Sequence, residues 1–303
     1  MSVKDMLLAL AVVVAWGINF VVIKVGLEGM PPLLLAGLRF LFTAIPAVFF
    51  IKLPKVPFKW VALYGLTINF GQFSLLFIAL KLGLPAGIAS LLLQAQAFFT
   101  LLIGTFLFKE QLKFYHLLAM LLAIGGILLL ALPHSGDGGH VTLLTLLLIM
   151  GAALSWGLGN ITNKVIVQRY SVNMMSLVVW GSFVPMFGFM LSSLLFEGPH
   201  AMANSILNIQ WHNVLALVYL SGIASIMGYG SWGYLLGRYE TWRIAPLSLL
   251  IPVIGLISAN LLLGENLNAM QITGALVIGL ALIINLFGNR IITLLQLRLA
   301  KPE

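Results

Sequence analysis

Trp16-Gly17-Ile18-Asn19-Phe20-Val21-Val22-Ile23-Lys24 returns, with its outline intact, as Trp156-Gly157-Leu158-Gly159-Asn160-Ile161-Thr162-Asn163-Lys164. Each copy keeps the Trp-Gly pair and places a lysine seven positions after the glycine. Each also sits on an apolar run long enough to cross a bilayer, which takes about 20 residues for ~30 Å of hydrocarbon. The pair therefore predicts a duplicated, membrane-embedded helical protein.

The composition outside the repeat agrees. Of 303 residues, 61% are hydrophobic and only 8% are charged, and the mean hydropathy is +1.09, values that no water-facing surface accommodates. The first apolar run continues well beyond a short signal-like core, so it is expected to stay as a span. The chain has no cysteine, which excludes disulfides, thiolate metal sites and a cysteine nucleophile. No P-loop, zinc motif or dinucleotide fingerprint is present, and no cofactor is expected. The net charge of +8 does not point to nucleic acid, because the cations are scattered over loops instead of gathered in a groove.

Charges, prolines and glycines divide the apolar sequence into ten segments near 6–26, 31–51, 60–80, 85–108, 114–132, 142–165, 173–196, 212–236, 243–263 and 269–289. The expected fold is an all-α membrane protein of ten transmembrane helices. Lys4, Lys52, Lys55, Lys59, Lys109, Lys113, Lys164, Arg169, Arg238, Arg243, Arg290, Arg298 and Lys301 fall on one side, Lys24 and Lys81 on the other, and Arg39 lies within a span. Short loops rich in Lys and Arg stay in the cytoplasm, which puts both termini there.

The halves match at further points. Lys109-Glu110-Gln111-Leu112 closes the fourth segment as Gly264-Glu265-Asn266-Leu267 closes the ninth, and Pro46 and Pro185 occupy similar depths in the second and seventh. Five spans per half is an odd number, so residues 1–135 and 136–303 form two inverted five-helix repeats. Inverted repeats let secondary transporters expose one midplane site to either side. A duplicated scaffold without transport is the plainer alternative.

The residues that carry the repeat also carry a likeness. Trp16-Gly17-x-Asn19, Gly37-Leu38-Arg39-Phe40, Pro85-Ala86-Gly87-Ile88-Ala89-Ser90 and the Glu110/Glu265 pair resemble the EamA-type exporters of the drug/metabolite transporter superfamily. Met30-Pro31-Pro32, the run Leu93-Gln94-Ala95-Gln96-Ala97-Phe98-Phe99-Thr100 and the run from Gly237 to Leu250 narrow the resemblance to those that export O-acetylserine and cysteine. The resemblance covers essentially the whole chain. It implies a ten-helix transporter of the bacterial inner membrane that exports small amino-acid metabolites. The apolar spans call for membrane lipid around them, and the oligomeric state is left open between a monomer and a weak dimer. A multidrug or other metabolite carrier of the same architecture is the alternative, a channel a more distant one. An enzyme is disfavoured, since no catalytic constellation shares one depth.

Polar residues near mid-span are the site candidates: Trp16, Asn19, Arg39, Asn69, Gln72, Gln94, Gln96, Trp156, Asn160, Trp180, Ser225 and Tyr229. A carboxamide in hydrocarbon needs a partner, which a polar cavity or a neighbouring helix can supply. Arg39 lies about eight residues into its span, roughly 12 Å at ~1.5 Å per residue, with no acid in any span to pair with it. It can bind a substrate carboxylate or, as the resembling exporters' common arginine suggests, serve the structure by snorkelling or capping carbonyls. Lys24, Lys164, Glu110 and Glu265 close corresponding helices and are candidates for gating or coupling, or simply for anchoring. All acids and histidines are peripheral, which favours either facilitated efflux or coupling through a rim acid such as Glu110 or Glu265. A zwitterionic amino acid suits such a site better than a lipophilic cation, for which a buried carboxylate is expected.

Overall fold

A computed structural model describes residues 1–109, 111–131, 141–239 and 241–299. The regular structure among them is helical throughout, without strands. Seven helices are long and apolar enough to cross a membrane: α1 (Val3–Gly26), α3 (Phe58–Lys81), α4 (Ala86–Phe108), α6 (Leu143–Arg169), α7 (Met174–Glu197), α8 (Trp211–Leu236) and α10 (Ala269–Asn289). Three shorter apolar helices, α2 (Pro32–Val48), α5 (Phe114–Leu130) and α9 (Leu247–Leu263), correspond to the remaining segments expected from the sequence.

Local chemistry sets the helix ends. Ser2 accepts from the Asp5 amide to start α1, Thr142 and Thr145 form a reciprocal capping box on α6, and at α8 the Gln210 amide donates to Asn213 Oδ1. Other starts are capped from across the bundle. The Glu197 carboxylate at the end of α7 accepts from the amides of Leu33 and Leu34 at 2.8 and 3.0 Å, where α2 begins after Pro31-Pro32. Asn213 donates to the carbonyls of Gly26 and Glu28, joining the start of α8 to the end of α1. These bonds satisfy orphan groups at the helix ends, and each ties one half of the chain to the other.

The helices pack in pairs: α1 against α9 and α8, α6 against α4 and α3, α2 against α7, and α5 along α10. A shift of five helices exchanges these pairs among themselves. The Trp-Gly repeat explains two of them. A β-carbon on Gly17 would lie 2.5 Å from Ile254 Cβ on α9, and one on Gly157 would lie 2.9 Å from Phe99 Cβ on α4. Only glycine lets these backbones approach so closely. In the same way Gly126 and Gly274 hold α5 and α10 against each other.

Apart from the π turn that ends α7 at Ser193–Glu197, four segments depart from regular pitch: Gly65–Gly71 in α3 and Tyr219–Met227 in α8 are π-helical, and Leu93–Ala95 in α4 and Ala245–Leu249 leading into α9 are 3₁₀ turns. Such departures inside long helices re-aim carbonyls and side chains and commonly mark functional positions. All four flank the same region of the bundle. Apolar side chains such as Phe50, Phe106 and Phe187 cover the exterior, the surface that lipid solvates.

Candidate functional site

The π and 3₁₀ segments surround a cavity of about 60 Å³, several times what one ordered water needs. Seven of the twelve polar candidates line it: Trp16 and Asn19 from α1, Arg39 from α2, Gln72 from α3, Gln94 from α4, Trp156 from α6 and Tyr229 from α8. Ser225 stands directly behind Arg39. Most of the lining therefore comes from the first half of the chain, with Trp156, Tyr229 and Ile251 contributed by the second.

Arg39 is 2% exposed, so it does not snorkel. Its Nε and Nη2 both donate to Ser225 Oγ, at 3.3 and 3.2 Å, and that hydroxyl in turn donates to the Leu220 carbonyl within the π segment of α8. The guanidinium lies over the Phe73 ring at 4.2 Å and beside Phe40 at 5.7 Å, an aromatic setting in which a desolvated cation gains about 2 kcal/mol. Asn19 and Gln72 are buried nearby, and Asn19 Oδ1, Gln72 Oε1 and Arg39 Nη1 have no hydrogen-bond partner among the described residues. Among the described residues the lining contains no carboxylate.

The aromatic walls are fixed by the same irregular helices. Trp16 Nε1 donates to the Ala224 carbonyl in the α8 π segment at 2.9 Å, and its ring sits 5.4 Å from Tyr229 and 5.3 Å from Trp232. On the opposite pair, Ser155 beside Trp156 donates to the Thr67 carbonyl in the α3 π segment at 2.8 Å. Gln94 reaches across to the Ser248 carbonyl at 3.5 Å, linking the two 3₁₀ turns.

The other candidates are placed elsewhere. Asn160 donates to Gln96 Oε1 at 2.6 Å and to Thr100 Oγ1 at 3.1 Å, the helix-to-helix bonding of the plainer reading, and neither Asn160 nor Gln96 lines the cavity. Asn69 is buried on the α3 π segment, three residues before Gln72 and outside the lining. Trp180 corrects the expectation: its Nε1 donates to the Ile51 carbonyl at 3.1 Å, and its ring lines a separate apolar recess with Leu53, Pro54 and Phe183.

Among the gating candidates, Lys24 Nζ pairs with Glu265 Oε1 at 2.6 Å, with the carboxylate side chain 13% exposed. The same carboxylate accepts from the amides of Ala86 and Gly87 at 2.9 and 3.1 Å, capping α4 where the chain leaves Pro85. Glu265 thus fastens the ends of α1, α4 and α9 together. Lys164 lies 4.6 Å over the Phe108 ring, and Glu110 is outside the described residues.

The mid-span polar candidates leave out other parts of the lining. Phe20, Leu76 and Ser90 each stand one helical turn from a polar candidate (Trp16, Gln72 and Gln94), so an i, i+4 search from those positions finds them. Glu197 and Asn213 had no such signal, because their partners are backbone groups brought near only by the fold.

The EamA-like transporter family model matches residues 3–132 and again 143–287. A protein of Salmonella typhimurium described as a "Probable amino-acid metabolite efflux pump" is 56% identical over 292 residues, covering 96% of this chain and 97% of that one. One of the same description from Escherichia coli K12 is 53% identical over 291 residues, covering 96% and 97%. A solved crystal structure, 20% identical, superposes on 99% of this chain and all of its own with a TM-score of 0.63, a likeness of fold. The chain belongs to the EamA-like transporter family: it is a multi-pass membrane transporter and not an enzyme.

Proposed function

We propose that the protein exports small amino-acid metabolites, O-acetylserine and cysteine among them, across the bacterial inner membrane by alternating access to the central cavity. The observation that carries this reading is the cavity itself: a buried arginine, three carboxamides and aromatic walls inside the bundle, beside segments where the helices lose regular pitch. The descriptions of the two similar efflux pumps support the substrate class, and a cavity near 60 Å³ suits a small metabolite better than a drug-sized ligand, whose sites run to about 300–1,000 Å³.

In this reading residues 1–135 and 136–303 are inverted repeats of five spans, with α2, α5 and α9 crossing beside the seven longer helices and both termini in the cytoplasm. The two matches of the family model and the exchange of helix pairs under a shift of five support it. The Lys24–Glu265 pair closes the outer end where it caps α4. Lys164 and Glu110, its counterparts by sequence, serve the inner end. With no carboxylate in the lining, substrate moves down its own gradient. Counterflow in proteoliposomes without an ion gradient tests this: labelled O-acetylserine or cysteine accumulates against unlabelled substrate inside, whereas strict dependence on a pH gradient rejects uncoupled transport, and carriage of drugs in place of amino acids rejects the substrate class.

A further inference from the structure

We propose that the cavity reads the α-carbon of its substrate: Arg39 Nη1 holds the carboxylate, and the carboxamides of Asn19 and Gln72 hold the α-ammonium. The inference rests on the reading of the cavity as the substrate site and names what a molecule must carry to be held there.

Three side chains bordering one cavity are each more than nine-tenths buried, and each has a polar atom with no partner among the described residues. A buried polar group left unpaired is penalised, the more so where charge is involved, so a ligand that pairs all three recovers energy that side-chain packing alone does not. The atoms differ in kind. Arg39 spends Nε and Nη2 on Ser225 and keeps Nη1, a charged donor that seeks an anion. Asn19 Oδ1 and Gln72 Oε1 are acceptors, suited to an ammonium and its three N–H groups. Trp16 and Trp156 add aromatic faces, which attract the same cation.

One cation and two neutral acceptors make a poor site for a dianion, which calls for a second cation, and for a lipophilic amine, which calls for a carboxylate. They match a zwitterion that brings both charges on one carbon. Beyond these groups the wall is formed by apolar side chains such as Phe73, Leu76 and Ile251 and by the uncharged polar groups of Ser90, Gln94 and Tyr229, with no further charge to neutralise a charged substrate side chain. Small neutral side chains are therefore accepted with little discrimination, while basic and acidic ones are refused. The selectivity lies in the two charges shared by all α-amino acids and in the size of the cavity.

Reconstituted wild-type protein performing labelled serine counterflow provides the test, with unlabelled competitors that each lack one feature. Ethanolamine lacks the carboxylate and N-acetylserine lacks the ammonium. The expected result is that serine competes about tenfold or more better than either, the scale of one hydrogen bond to a charged group. In Arg39→Gln, checked for monodispersity, the preference for serine over ethanolamine collapses; in Gln72→Leu the preference over N-acetylserine collapses. Ethanolamine or N-acetylserine competing as well as serine overturns the clamp and leaves amino-acid export standing. Absence of counterflow with every amino acid tried overturns both.

Discussion

Each half of the chain turns on a glycine beside a tryptophan. Gly17 admits Ile254 of α9 and Gly157 admits Phe99 of α4, and the neighbouring Trp16 and Trp156 are thereby held at the cavity wall. Gly17→Val and Gly157→Val insert branched carbons at contacts that already lack room for one, so each is expected to destabilise the protein by about 1–3 kcal/mol. Thermal melts in detergent check this, and melting temperatures unchanged from wild type contradict it. The repeat was legible as duplication from residue identity alone, and the depth of Trp16 and Trp156 marked them as lining candidates. What the glycines touch was not legible, because Ile254 and Phe99 lie far away in sequence. The same limit explains Asn160 and Gln96: both are amides at mid-depth, and only the fold decides that they satisfy each other and leave the cavity to Asn19 and Gln72.

The elements depend on caps supplied by other elements. Glu265 ends α9, yet its carboxylate serves the first amides of α4 and the ammonium of Lys24 on α1. Glu265→Gln keeps the shape, removes the charge and weakens three contacts together. An expected loss of about 1–3 kcal/mol follows from bonds to a mostly buried charged group and from the α4 helix dipole it neutralises. Differential scanning fluorimetry reads the loss, and a Glu265→Gln protein as stable as wild type shows that the three contacts do not hold the helix ends together. Sequence periodicity located every apolar segment to within a few residues of its helix, since membrane length and loop charge suffice for that. It gave no warning of the π segments at Gly65–Gly71 and Tyr219–Met227, which contain no proline and arise where Trp16 and Ser155 draw carbonyls out of the regular ladder.

For the whole molecule, the central claim is that one mid-depth cavity opens in turn to each side of the membrane. The chain has no cysteine, so a single introduced thiol reports on one position without background. Ser90 suits this purpose: it lines the cavity, is 1% exposed, and carries a hydroxyl that bonds only locally to the Gly87 carbonyl. The decisive measurement is the labelling of Ser90→Cys by a membrane-impermeant thiol reagent, applied separately to right-side-out and inside-out vesicles, with and without serine. Alternating access predicts labelling from both faces and slower labelling from each when serine occupies the cavity. Labelling from one face alone under every condition, or from neither, contradicts the account.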